Sequence, residues 1–165
     1  MLAIESTQLR LSPAKLSWVI IFMDDSIIDT LLSLNQRLLD AIMEGDWATY
    51  AELCDETISC FEPESKGHLV EGLPFHHFYF ALSENGSGDE TNELLRGPES
   101  EPAMIQVTMA SPHVRLMNEA AVISYVRLVQ TLDETGSPIT KSCQETRVWQ
   151  LIDDQWKHVH FHRSL

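Results

Sequence analysis

The stretch AVISYVRLVQTL, Ala121–Leu132, followed by TKSCQETRVWQLI, Thr140–Ile152, and WKHVHFHR, Trp156–Arg163, decides the fold class. Each segment is rich in β-branched and aromatic residues, and the gaps between them carry turn chemistry at Thr135-Gly136-Ser137-Pro138 and Asp153-Asp154. Just upstream, Met104–Met109 and Val114–Met117 read as two more strands separated by a turn at Ser111-Pro112, with Asn118-Glu119 turning the chain into Ala121. A run of strands with short connections predicts an antiparallel sheet.

Working back from the sheet, the signals become helical. Ile27, Leu31, Leu34, Leu38 and Ala41 recur at helical spacing, and Ser26 with Asp29 offers an N-cap, so an amphipathic helix is expected to start at Ser26. Gly45 ends it as a left-handed cap, and Asp46 caps a shorter helix with Trp47, Tyr50, Ala51 and Cys54. A short strand follows at Thr57–Phe61, then a Pro- and Gly-containing loop from Pro63 to Pro74, then an aromatic helix from Phe75 to Leu82. Helices first and strands later predict α+β, with helices packed on one face of a curved sheet.

At 165 residues and 44% hydrophobic content, the chain is sized for one domain. We expect that domain over residues 26–165, after an N-terminal extension over residues 1–25. Residues Ser83–Pro102 hold six acids against the single Arg96 and are poor in apolar side chains, which predicts an acidic insertion. The net charge of -14 repels phosphate backbones and anionic lipid, so neither nucleic acid nor membrane is an expected partner. The apolar run Trp18–Met23 is shorter than the roughly 20 residues a spanning helix needs. Asp24-Asp25 also stands where a signal peptide would have a small-residue cleavage site. Cys54, Cys60 and Cys143 are odd in number and include no C-x-x-C pair, which fits free thiols in a reducing compartment, the cytoplasm by default.

The side chains that could carry chemistry lie mostly on the strands. Alternation places Arg127 beside Ile123, Tyr125 and Val129, Arg147 beside Cys143, Glu145 and Trp149, and Arg163 beside Val159 and Phe161. One reading has each arginine pair with a nearby acid or snorkel to the rim. The other has several guanidiniums converge on a carboxylate or phosphate, which their forked donors suit. His158, His160 and His162 alternate with Trp156 on one expected face. Paired histidines there could bind zinc, but no fourth ligand is evident, and packing at a surface or interface is the expected role. His76-His77, in an aromatic helix, could supply a general base, against a structural hydrogen-bonded role. No phosphate loop, kinase catalytic triplet, nucleophile elbow or H-E-x-x-H helix is present. No catalytic residue, metal or cofactor is expected.

The residues also form longer motifs. Phe61-Glu62-Pro63-Glu64, Gly67, Leu69-Val70-Glu71-Gly72, Phe75-His76 and Phe78-Tyr79-Phe80 resemble the central motif of the association (hub) domain of calcium/calmodulin-dependent protein kinase type II. So do Pro112-His113-Val114, Tyr125-Val126-Arg127-Leu128, Glu145-Thr146-Arg147-Val148-Trp149, Trp156-Lys157 and Val159-His160-Phe161-His162-Arg163-Ser164, as well as Glu44-Gly45-Asp46-Trp47 with Tyr50. The resemblance spans about Ile27 to the C-terminus. It implies the cone-shaped fold of the nuclear transport factor 2-like superfamily, a long N-terminal helix across a strongly curved antiparallel sheet.

It further implies self-assembly into two stacked rings, commonly of twelve or fourteen chains, and possible pairing with hub domains of kinase homologues. The family's pocket arginines and histidine match His76, Arg127, Arg147 and Arg163, which with Tyr125 and Glu145 form a cavity expected to accept a small carboxylate or an acidic peptide. His77 stands where the family usually has arginine, and the acidic insertion is longer than the family's loop. The kinase, autoinhibitory and calmodulin-binding segments that precede the hub in the family do not fit in residues 1–25. The same fold also hosts isomerases and dehydratases, and an enzyme of that kind would use His76 and Tyr125 with Glu145.

Overall fold

A computed structural model describes residues 13–84 and 105–164. Helix α1, Pro13–Glu44, is longer than expected. Ser26 does not cap it. Instead it lies inside the helix, where the Ser26 carbonyl accepts from Thr30 Oγ1 at 2.8 Å and the Asp29 carbonyl from Ser33 Oγ at 2.8 Å. At its other end Gly45, with φ of 71°, supplies the expected left-handed residue. Asp46 then caps helix α2, Trp47–Leu53, its carboxylate accepting the Thr49 amide at 3.0 Å.

Strand β1 is Cys54–Phe61. A single 3-10 turn, Pro63–Ser65, and the short strand β2, Val70–Glu71, lead into helix α3, Leu73–Glu84. The expected acidic insertion, apart from its first two residues in α3, lies outside the described residues. The meander follows as β3, Gln106–Met117, β4, Ala120–Leu132, β5, Pro138–Ile152, and β6, Gln155–Ser164. The six strands form one sheet in the order β2-β1-β6-β5-β4-β3. Its inner face carries Ala121, Ile123, Trp149 and Phe161, buried against Leu31, Leu38 and Leu39 of α1. Asn35 pins the helix to that face by accepting from Trp149 Nε1 at 3.2 Å.

Three expectations need correction. Ser111-Pro112 does not divide two strands: Ala110 pairs with Val126 and His113 with Ser124, so β3 carries one extra residue, a bulge, with Ser111 at φ of 50°. Proline has no amide to give a ladder, and a bulge on an edge strand tolerates it. The sheet is not wholly antiparallel, because β1 pairs with β6 in parallel. Finally, Val148 faces His160 while Trp149 faces His158, so β6 bulges at Val159 and strict alternation fails there. Such bulges bend their strands and curl the sheet around α1. Among the described residues no helix is long and apolar enough to cross a membrane.

Candidate functional site

Between β4, β5 and β6 the ladder puts charged residues in the core-facing rows. Tyr125 lies opposite Glu145, which lies opposite Arg163; one row on, Ile123 faces Arg147 and Arg147 faces Phe161; Arg127 lies opposite Cys143. The β4–β5 ladder is unbroken from Ala120 to Leu132, so the alternation expected for Tyr125, Arg127, Glu145 and Arg147 holds.

Glu145 is the hub of this face. Its Oε2 accepts from the Tyr125 hydroxyl, from Arg147 Nε at 3.0 Å and from Arg147 Nη2 at 2.9 Å, while its Oε1 accepts from Arg127 Nη1 at 3.2 Å. Burial works to raise its pKa, but Arg147 and Arg127 outweigh burial and hold the carboxyl at about 2. Arg147 is in turn 1% exposed, and the field of Glu145 overcomes the burial that would lower its pKa. Arg147 Nε also donates to the Tyr125 oxygen at 2.8 Å, which leaves that hydroxyl's proton for Glu145. Burial pushes Tyr125 up to about 12, so it stays a neutral donor.

His158, moved to the core face by the bulge, sits with Nε2 3.4 Å from Arg147 Nη1 and Nδ1 3.6 Å from Cys54 Sγ. A guanidinium can only donate, so Nε2 carries the lone pair and the ring proton faces Cys54. Burial and then Arg147 drive the His158 pKa well below its ordinary value. The other two histidines of the strand are elsewhere: His160 bonds Ser59 Oγ at 2.8 Å and His162 is exposed beside Phe61. The expected single histidine face is therefore not formed.

His76, on α3, reaches the same core from another side. Its Nδ1 is 3.1 Å from Tyr50 Oη, and its ring centroid is 5.8 Å from that of Phe161. Phe161 in turn lies 4.8 Å from Arg147 Cζ, so an aromatic ring stands between the histidine and the guanidinium. Burial, then Arg147, lower the His76 pKa to about 4, which keeps it neutral and makes it a weak base.

Arg163 shares the face without joining the Glu145 cluster. Its Nη2 donates to Glu64 Oε2 at 2.6 Å and to Glu62 Oε2 at 3.3 Å, both on the turn that follows β1. Among the described residues Arg127 Nε and Arg163 Nε are buried nitrogens with no hydrogen-bond acceptor. Sequence reasoning missed Glu62, Glu64, His158, Tyr50 and Asn35 as members of this region. The partners of Arg163 lie about a hundred residues from it along the chain, with separations of 101 and 99, which no local pattern signals.

Residues 29–165 match the family model of the calcium/calmodulin dependent protein kinase II association domain. The chain belongs to that family. The type II alpha chain of this kinase from Drosophila melanogaster is 42% identical over 135 residues, covering 81% of this chain and 23% of the kinase. The type II delta subunit from Oryctolagus cuniculus is 41% identical with the same coverage, so the match spans about a quarter of the length of these curated relatives. Among solved structures, the kinase II hub homology domain of C. reinhardtii superposes with a TM-score of 0.70 at 45% identity, covering 83% of this chain and 96% of that one. The C. elegans association domain gives 0.69 at 37% identity, covering 86% and 97%.

A ketosteroid isomerase-like structure at 17% identity, with a TM-score of 0.58 and coverage of 80% and 92%, shares the nuclear transport factor 2-like fold and nothing finer. The kinase relatives are matched over their association domain and not over their catalytic domain, and the site agrees with a non-enzymatic module. Glu145 is locked in ion pairs and His76 is a weak base, so neither is poised to abstract a proton near neutral pH.

Proposed function

We propose that this association domain is an assembly module, a homo-oligomer of roughly twelve or more copies in two stacked rings, able to take up hub domains of kinase homologues and working in the cytoplasm. The observation that carries this is the outer face of the sheet. Alternation turns Val122, Ser124, Val126 and Leu128 of β4 and Thr146 and Val148 of β5 away from the core, and Ser124 Oγ lies 3.4 Å from Thr146 Oγ1. Four aliphatic and two hydroxyl side chains, uncharged and only partly buried in a chain of net charge -14, with Arg115 of β3 opposite Val122 at their margin, make a surface suited to a second copy rather than to water. Light scattering of the purified chain should give a particle of roughly ten or more subunits, and Val126→Asp with Val148→Asp should reduce it to small species. A monomer or dimer at all concentrations would overturn the assembly reading.

The inner face has a second role in this reading. His76, Tyr125, Arg127, Glu145, Arg147 and Arg163 form a pocket for a carboxylate, from a small acid or from an acidic peptide. The two unpartnered guanidinium nitrogens, Arg127 Nε and Arg163 Nε, support it, since a buried donor without an acceptor costs about 1–3 kcal/mol that an arriving anion would recover. Carboxylates should raise the melting midpoint of wild type and not of Arg163→Ala, which removes one of the two unpartnered donors; equal responses would remove the pocket reading.

A further inference from the structure

We propose that Glu62 and Glu64 are resident occupants of the outer seat of this pocket, and that an incoming carboxylate binds by displacing them from Arg163. The proposal rests on the carboxylate-pocket reading and adds what regulates it.

The charges on the inner face balance within the chain. Arg127, Arg147 and Arg163 are matched by Glu145, Glu62 and Glu64, so an added anion meets no surplus of positive charge until one internal carboxylate leaves. Glu145 is the wrong one to leave. Its side chain is 0% exposed and it holds Tyr125, Arg127 and Arg147 together. Glu62 and Glu64 are 10% and 15% exposed and ride on one 3-10 turn, which is closed by left-handed Lys66 at φ 50° and Gly67 at φ 83°. That turn is held by its own short-range bonds, Ser65 Oγ to the Glu62 carbonyl at 2.8 Å among them, so side chains can swing without unpairing the sheet.

The resident pairing is also incomplete. Both glutamates accept from the same atom, Arg163 Nη2, while Arg163 Nε is left without an acceptor. A free carboxylate is not tethered to the turn and can take Nε and Nη2 side by side, the forked geometry that makes arginine–carboxylate pairs strong. Two carboxylates on one guanidinium also repel each other. Glu62 shows it: burial and then Glu64 act against Arg163 and raise its pKa, although Arg163 lies 3.3 Å away. Exchange thus trades two crowded monodentate contacts for one bidentate contact.

The test uses the assembled protein, acetate as probe and acetamide as its neutral counterpart, with dissociation constants from ligand-observed NMR at fixed ionic strength. Removing the residents with Glu62→Gln/Glu64→Gln should tighten acetate by roughly tenfold, with Glu64→Gln alone in between and acetamide unmoved. Glu71→Gln, which removes an exposed acid on β2, should behave as wild type. Equal acetate affinity in wild type and Glu64→Gln overturns the displacement proposal while leaving the pocket standing. Equal tightening in Glu71→Gln overturns it as well, by showing a general charge effect. Acetate binding in none of the proteins overturns the pocket and this proposal with it. Should the double variant fail to fold, the Glu64→Gln comparison decides.

Discussion

The inner seat around Glu145 and the outer seat around Arg163 use the same chemistry at opposed positions on neighbouring strands, with Glu145 directly across from Arg163. They differ in how completely they are enclosed and satisfied. The inner carboxylate uses both oxygens on three partners and is sealed from water; the outer guanidinium meets two carboxylates through one nitrogen, with its side chain 22% exposed. A buried pair is costly to break from one side, whereas a rim pair is worth little and exchanges readily. Enclosure, rather than the identity of the ions, separates a structural cluster from one that can respond.

The largest test of that contrast is Glu145→Gln, which keeps the shape and leaves Arg127 and Arg147 buried without a counter-charge. Urea unfolding should show a loss of about 3–5 kcal/mol. A loss below about 1 kcal/mol would place the inner seat in the same class as the rim.

Acid should separate the two seats by sign. His76 titrates at about 4 when folded against 6.5 ordinarily, so the unfolded chain takes up its proton first, and stability present above 6.5 drains away as pH falls toward 4. Glu145 adds a further loss from its ordinary 4.5 down to about 2. Glu62, raised by burial, works the other way, since the folded state takes up its proton first and gains stability as pH falls through the range above 4.5. Urea midpoints measured across this range should fall with acid in wild type. They should fall less steeply between 6.5 and 4 in His76→Gln. A midpoint that rises with acid would mean the outer seat dominates.

The smallest expected effect is Glu64→Gln on stability alone. Its partly screened pair should cost about 1 kcal/mol or less in the same assay, even where ligand affinity changes.

The element order and the faces of β4 and β5 were legible in the sequence because the two strands pair without a break, so alternation put Tyr125 with Arg127 and Glu145 with Arg147, while only the family resemblance joined the two pairs in one cavity. What was not legible depends on irregularity or distance. One extra residue at Val159 moved His158 into the core and separated it from His160. The start of α1 was misplaced because the helix begins at Pro13, so Ser26 and Asp29 lie in its interior, where their carbonyls accept from the Thr30 and Ser33 hydroxyls and their side chains cap nothing. Arg163 shares the inner face with Phe161 as alternation expects, but its partners arrive from the turn after β1, 101 and 99 residues earlier in the chain. That is a matter of which strands neighbour one another, and the parallel β1–β6 pairing has no local signature.

That parallel pairing also sets an order of events during synthesis. The β3–β4–β5 meander needs only hairpins and can begin to form as it leaves the ribosome, whereas β1 is made early and has no neighbour on one side until β6 exists, a separation of 101 residues between Ser59 and His160. Until then the nascent chain carries the two buried thiols of β1, Cys54 and Cys60, and an open strand edge at once. Emergence of β6 is thus the step that closes the sheet, and a chain without Gln155–Ser164 leaves the edges of β1 and β5 unpaired together.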